Sequence, residues 1–208
     1  MTSTDGGSEG DLFAHKAEDY DRRAGQLQVL EQIGATLLER AALSRDMHLM
    51  DFGSGTGLLL EQLAPRVRRI TAVDVSPAMH GKLREKLPAI PCEVELREID
   101  LEREDLDAVF DGIVTSMTFH HVRDVPALLR RLAPMVRPGG FLAVADLDAE
   151  DGRFHEAGTE GVHHHGFDRE QLAADVRAAG FTEVESVTAG VFPREHGDYP
   201  IFLLTARR

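Results

Sequence analysis

A chain of 208 residues with 42% apolar content is long enough for one domain with a complete core. Its formal charge of −13, from 23 basic and 36 acidic residues with no basic run, offers phosphate no cationic footprint and argues against RNA or DNA as substrate. Cys92 is the only cysteine, which excludes an intramolecular disulfide and thiolate zinc motifs and points to a reducing, cytoplasmic setting.

In chain order, residues 1–11 are polar and glycine-rich and are expected to be a disordered tail, with a single domain over 12–208. The start lacks the basic residues and apolar run of a signal peptide, and no stretch reaches the apolar length of a membrane span. Apolar residues at Leu27, Leu30, Ile33, Leu37, Leu38 and Ala41 predict an amphipathic helix.

Leu49-Met50-Asp51-Phe52-Gly53-Ser54-Gly55-Thr56-Gly57, followed by Leu58-Leu59-Leu60, reads as strand, glycine turn and helix. Glycine at every second position lets a ligand approach the main chain without a Cβ in the way. A dinucleotide site needs Gly-x-Gly-x-x-Gly, and here the third glycine comes one residue early, which counts against NAD. Asp51 places a carboxylate near the loop, awkward for phosphates and helpful to a cation. S-adenosylmethionine, with an ammonium, a sulfonium and no phosphate, fits that description. A second strand over 69–75 brings Asp74 to where a carboxylate can accept from both ribose hydroxyls.

Ser76 is a good N-cap, Pro77 suits the first helical position, and Met79 and Leu83 then face inward. Residues 92–99 alternate strictly between apolar and charged or polar, as an edge strand does, and Asp100 follows. Residues 109–116 are more continuously apolar, as a central parallel strand should be. This strand ends at Ser116 and leads to His120 and His121, at the sheet edge where open α/β folds bind ligands.

Asp124 caps a helix striped by Leu128, Leu129, Leu132, Met135 and Val136, which Pro138-Gly139-Gly140 stops. A fifth strand over 141–145 ends near Asp146. From 148 to 166 no periodicity survives, and the segment carries His163, His164 and His165; its length predicts a lid over the acceptor pocket. Asp168 with Gln171 reads as a capping box, Phe167 with Leu172 as a hydrophobic staple, and Gly180 as the helix end. Two strands follow over 183–191 and 199–206, joined by a polar turn over 193–198.

Five elements in register resemble class I SAM-dependent methyltransferases of the small-molecule type. They are Asp51 to Gly57, Asp74-Val75-Ser76-Pro77-Ala78-Met79, Asp100-Leu101, Phe110-Asp111 through His120-His121-Val122, and Leu132 through Gly140. The resemblance implies an α/β, Rossmann-like fold with a seven-stranded sheet in the order 3-2-1-4-5-7-6, its last strand antiparallel, and helices on both faces. It implies a cofactor site from Asp51, Gly53, Gly55, Gly57, Asp74, Val75 and Ser116. Met79 would flank the adenine, Asp100 would receive its amino group, and the Leu101 backbone would lie beside the ring. Tyr20 would fold over the cofactor, and His121 would be a packed structural histidine.

Methyl transfer from a sulfonium depends mostly on positioning, and a neutral hydroxyl acceptor also gains from a general base. The candidates are His120 and His121 and the run His163, His164 and His165, of which His120 and His164 are favoured. Consecutive residues of an extended segment point to opposite faces, so at most His163 and His165 share one, and no metal site is expected. The function expected is methyl transfer to a small-molecule acceptor, with a catalytically silent SAM-binding regulatory or interaction protein as the alternative.

Overall fold

The computed structural model describes residue 11, residues 24–156 and residues 158–208. Tyr20, most of the tail over 1–11 and the start of the expected domain lie outside them. Twelve elements follow in chain order: α1 (Ala24–Arg40), β1 (His48–Phe52), α2 (Leu58–Leu63), β2 (Arg69–Asp74), α3 (Pro77–Lys86), β3 (Glu93–Glu98), β4 (Phe110–Ser116), α4 (Val125–Leu132), β5 (Val136–Leu147), α5 (Arg169–Ala178), β6 (Thr182–Arg194) and β7 (Gly197–Arg207). The strands form one seven-stranded sheet in the order β3-β2-β1-β4-β5-β7-β6. Pairings from β3 to β5 are parallel, whereas β7 runs antiparallel to both β5 and β6.

Side chains on a strand alternate between faces, so one sheet builds two cores. On one face Leu49, Val114, Phe141, Ala143, Ile201 and Leu203 meet Val29, Ile33 and Leu37 of α1 and Leu59, Leu60 and Leu63 of α2. On the other, Met50, Ile113, Leu142, Val144, Phe202 and Leu204 meet Leu128, Leu129 and Leu132 of α4 and Leu172 and Val176 of α5. β3, at one edge, is mostly half-buried or exposed, as its alternation predicts.

The caps are local and form where the sequence places them. Ser76 Oγ accepts from Met79 N at 3.2 Å, Asp124 Oδ1 from Ala127 N at 2.8 Å, and Asp168 Oδ1 from Gln171 N at 2.9 Å. The capping box is only half made, because Gln171 Nε2 donates onward to Asp175 instead of back to the cap.

Two boundaries differ from the sequence reading. β5 begins at Val136 rather than Phe141, and Pro138-Gly139-Gly140 lies inside it as a bulge. Gly139 has φ 80°, and its N–H donates to the Arg208 carbonyl while Arg208 N–H donates to that of Gly140. A Cβ on Gly140 would stand 2.7 Å from the Asp111 carbonyl oxygen, so the glycine pair permits close strand approach, and α4 has already ended at Leu132. The expected turn over 193–198 is mostly strand: Pro193 pairs with Asp198 and Arg194 with Gly197, leaving a two-residue loop. Proline is tolerated there because β6 is an edge strand.

Ile113, fully buried in β4, fills the core beneath the site. Ile113→Ala should lower unfolding free energy by about 2–5 kcal/mol, read by chemical denaturation.

Candidate active site

A cavity of about 960 Å³ opens over the carboxyl ends of β1, β2 and β4 and extends under segment 148–166 to the β6–β7 hairpin. Ligands of open α/β sheets bind at that edge because the strands end there and the loops diverge.

The three loop glycines all have positive φ, for different reasons. A Cβ on Gly53 would strike the Thr118 side chain at 2.2 Å, and one on Gly57 would strike Leu83 at 2.5 Å, so both serve packing. A Cβ on Gly55 would meet nothing within 4 Å. Gly55 therefore presents bare backbone to the cavity, which Gly53 also lines and Gly57 does not. Ser54 and Gly53 donate to the Val73 carbonyl, and Ser54 Oγ is 3.2 Å from Nε2 of His80, a buried α3 histidine that the sequence reading passed over.

Asp74 ends β2 at the cavity. Its Oδ2 accepts from Gly55 N at 2.7 Å and its Oδ1 from Ser76 N at 2.8 Å. Burial pushes its carboxyl pKa up despite these two donors. Asp51 lies outside the lining, only 1% exposed. Burial first, and the Asp74 charge second, push its carboxyl up to about 7, and its Oδ2 has no hydrogen-bond partner. A cation in the cavity would stabilise both carboxylates.

Val75, Met79, Asp100, Leu101 and Ser116 line the cavity as the sequence suggests. Asp100 Oδ1 accepts from Glu102 N at 2.9 Å, which fixes the turn after β3. Asp11, at the end of the expected tail, is instead held at α3: its Oδ2 accepts from Ser76 Oγ at 2.7 Å and Ala78 N at 3.1 Å. It too lines the cavity. Met117 follows β4 with φ 53°, a strained conformation for a side-chain-bearing residue, and it also lines the site.

The wall beyond β4 carries a histidine–carboxylate pair. His120 is 2% exposed and Asp146 is fully buried, with His120 Nδ1 at 2.7 Å from Asp146 Oδ1. The two oxygens of Asp146 also accept from Leu147 N at 2.8 Å and His120 N at 3.2 Å. Burial alone would raise the Asp146 pKa, but the facing imidazole and these hydrogen bonds hold it below the usual carboxylate range. With Nδ1 engaged, Nε2 is the nitrogen His120 offers to a ligand. His121 faces the Gly161 carbonyl through Nδ1 at 2.6 Å; burial and the neighbouring His120 push its pKa down to about 3, so it is neutral at physiological pH.

Segment 148–166 does cover the pocket, with Phe154, His155, Glu160, Gly161 and His163 in the lining. His163 and His164 both donate their N–H to the His120 carbonyl, at 2.9 and 3.2 Å. The favoured histidine is displaced: His164 is not at the cavity, and its Nε2 lies 2.9 Å from the Val122 carbonyl. Alternation along the extended segment turns His163 inward and His164 away from the cavity. Among the described residues no group of three or more His, Cys, Asp or Glu could hold a metal ion.

The family described as Methyltransferase domain matches residues 22–186. The chain belongs to this family. An uncharacterized methyltransferase of Schizosaccharomyces pombe is 36% identical over 135 residues, covering 58% of this chain and 48% of that protein. The chain thus spans about half the length of the first curated relatives it matches. Among solved structures, the N-methyltransferase NodS from Bradyrhizobium japonicum WM9 with S-adenosyl-L-homocysteine superposes with a TM-score of 0.71 at 19% identity, covering 95% of this chain and 98% of that one. The Burkholderia thailandensis 1,6-didemethyltoxoflavin-N1-methyltransferase gives a TM-score of 0.73 at 22% identity, covering 94% and 85%. The observed sheet is that of the Rossmann-like class I methyltransferases. No helix among the described residues is long and apolar enough to cross a membrane.

The raised pKa of Asp51 ties stability to pH. A carboxyl whose folded pKa exceeds its unfolded value contributes stability below the unfolded value, and this is lost as pH rises through the folded one. The stability advantage of the parent over Asp51→Asn should therefore fall between about pH 4 and pH 7 and level off above, measured by denaturation across that range.

Proposed function

We propose that the protein is an S-adenosylmethionine-dependent methyltransferase (EC 2.1.1) acting on a small-molecule acceptor in a reducing, cytoplasmic setting. One juxtaposition carries the reading: the bare Gly55 backbone and the Asp74 carboxylate face the same cavity as the His120–Asp146 pair. The fold, the family and the SAH-bound neighbour support it. The net charge of −13 favours a small molecule over nucleic acid as acceptor.

The residues present fit such a cofactor. Open space in front of Gly55 leaves room for it, and the buried, unpartnered Asp51 oxygen favours a cationic ligand. Gly53 and Gly55 would lie along it, Asp74 would take the ribose hydroxyls, and Val75 and Met79 would flank the adenine, whose edge Asp100 and Leu101 would meet. Ser116 closes the floor at β4. When bound, S-adenosylmethionine supplies an electrophilic methyl group on a good leaving group.

This chain's own residues then position the acceptor and manage its proton. His120 Nε2 would accept the proton that the acceptor O–H or N–H gives up. Asp146 keeps Nδ1–H oriented and stabilises the imidazolium that results. His121 stays neutral and adds no competing charge beside it. Segment 148–166 contributes Phe154, His155, Glu160, Gly161 and His163 to the cavity wall and would help keep water from the reacting centre. Of its consecutive histidines, His163 faces the chemistry and His164 docks the segment.

Incubation with methyl-labelled S-adenosylmethionine and fractionated metabolites, followed by identification of the labelled product, tests the activity. Gly55→Val should abolish S-adenosylhomocysteine binding in calorimetry while the circular dichroism spectrum is kept, because the branched side chain would enter the cavity. His120→Ala should lower kcat by roughly 10²–10⁴-fold, the range of a general base, with S-adenosylhomocysteine affinity retained. Asp146→Asn should lower kcat with KM little changed. Full turnover in His120→Ala would remove the base from the mechanism.

A further inference from the structure

Three side chains of α3 are buried, Met79, His80 and Leu83, and one of them is polar. His80 is fully buried, and an imidazole held where an aliphatic side chain would pack costs desolvation unless its two nitrogens are met. Nε2 lies 3.2 Å from Ser54 Oγ. Nδ1 makes no hydrogen bond, and the Glu98 carboxylate faces it at 3.8 Å.

These two neighbours belong to different walls of the cavity. Ser54 sits between Gly53 and Gly55, which both line it, while Glu98 ends β3 and leads directly into the lining residues Ile99, Asp100 and Leu101. His80 itself is not in the lining. The ring thus spans from the loop after β1 to the end of β3, where Arg84 Nη2, one turn further along α3, steadies Glu98 at 3.3 Å. The charged groups around it are Asp74 from β2, Glu98 from β3 and Arg84 from α3. Burial, helped by Arg84, pushes the imidazole pKa below its ordinary value against the pull of the two carboxylates, so the ring is neutral at physiological pH. A neutral ring carries one proton, and the carboxylate decides its place: a lone pair on Nδ1 would face negative charge, whereas an N–H there is attracted. Nε2 is then the acceptor, and the Ser54 hydroxyl its donor.

We propose that His80 is a positioning residue of the cofactor site, with its proton on Nδ1 toward Glu98 and Nε2 accepting from Ser54, so that the glycine loop is held in register with the end of β3. The role rests on the methyltransferase reading and adds to it a residue outside the cavity wall. Ser54 is also pinned through its backbone, whose N–H donates to the Val73 carbonyl at 3.1 Å, and the next amide, of Gly55, donates to Asp74 at 2.7 Å. Moving Ser54 therefore moves the amide that orients Asp74. A histidine that merely filled space could be replaced by leucine without loss of ligand affinity.

Calorimetry of the full chain with S-adenosylhomocysteine tests the role. His80→Leu keeps an apolar side chain of core size, removes both nitrogens, and should weaken binding roughly three- to tenfold, the worth of a single hydrogen bond. Ser54→Ala should weaken it to the same extent. The double variant should bind no more weakly than either single one, because both remove one contact. His80→Gln, whose amide oxygen can stand where Nε2 does, should recover part of the affinity. Nitrogen-15 NMR of the histidine-labelled parent should show His80 protonated on Nδ1 and bare on Nε2. Circular dichroism checks folding, and should His80→Leu not fold, Ser54→Ala and the NMR tautomer decide alone. The inference is overturned by parent affinity in His80→Leu or Ser54→Ala, by losses that multiply in the double variant, by His80→Gln binding no better than His80→Leu, or by a proton on Nε2. Absence of S-adenosylhomocysteine binding by the parent would overturn the methyltransferase reading, whereas parent binding that the variants leave unmoved overturns this inference alone.

Discussion

A carboxylate buried at the end of a parallel strand is costly unless something holds it, and three strands of this sheet carry one at the ligand edge. The structure meets the cost in three ways. Asp74 receives two backbone N–H groups, one of them from the glycine loop itself. Asp146 receives the His120 ring and two backbone N–H groups, and stays ionised. Asp51 keeps an oxygen without a partner, and its carboxyl is held near neutrality between charged and uncharged forms.

The same carboxylates organise the loops around them. Because Asp74 binds the Gly55 amide, the loop's open face is fixed relative to β2 rather than left to fluctuate. Because Asp146 binds both the ring and the amide of His120, the turn after β4 is fixed relative to β5. A pocket between two such anchors is pre-organised, which is what a reaction limited by alignment requires. Met117, strained between β4 and that turn, is where the backbone absorbs the change of direction.

Much of this was legible in the chain because its signals are local. Strand and helix positions, the helix caps and Asp74 at the end of β2 follow from patterns within a few residues of each, whereas the strand order and the placing of Met79, Asp100 and Leu101 come from the resemblance to class I methyltransferases. What escaped depends on contacts between distant segments. Gly53 and Gly57 look like Gly55 in sequence, and only Thr118 and Leu83 reveal that they are packing glycines. Asp146 was visible as a strand end, but its tie to His120 joins β5 to the turn after β4. His163 and His164 are adjacent, so choosing between them required the register of an aperiodic segment. Pro193 reads as a turn residue, and only its place on an edge strand makes it part of the hairpin.

The covering segment and the proposed base are not independent parts. Two successive amides, of His163 and His164, converge on the His120 carbonyl, while His121 and His164 reach back to the carbonyls of Gly161 and Val122. Four hydrogen bonds thus join segment 161–164 to residues 120–122, and Phe154 fastens the other end of the covering segment among Phe192, Tyr199 and Arg194. Lifting the segment would strip the His120 carbonyl of both its N–H donors and release the His121 ring from the Gly161 carbonyl. The turn that carries His120 would then rest on Asp146 for its orientation. Under the proposed mechanism, covering the acceptor and placing the base would therefore be one conformational event, since the covering segment is bonded to the backbone that carries the His120 imidazole.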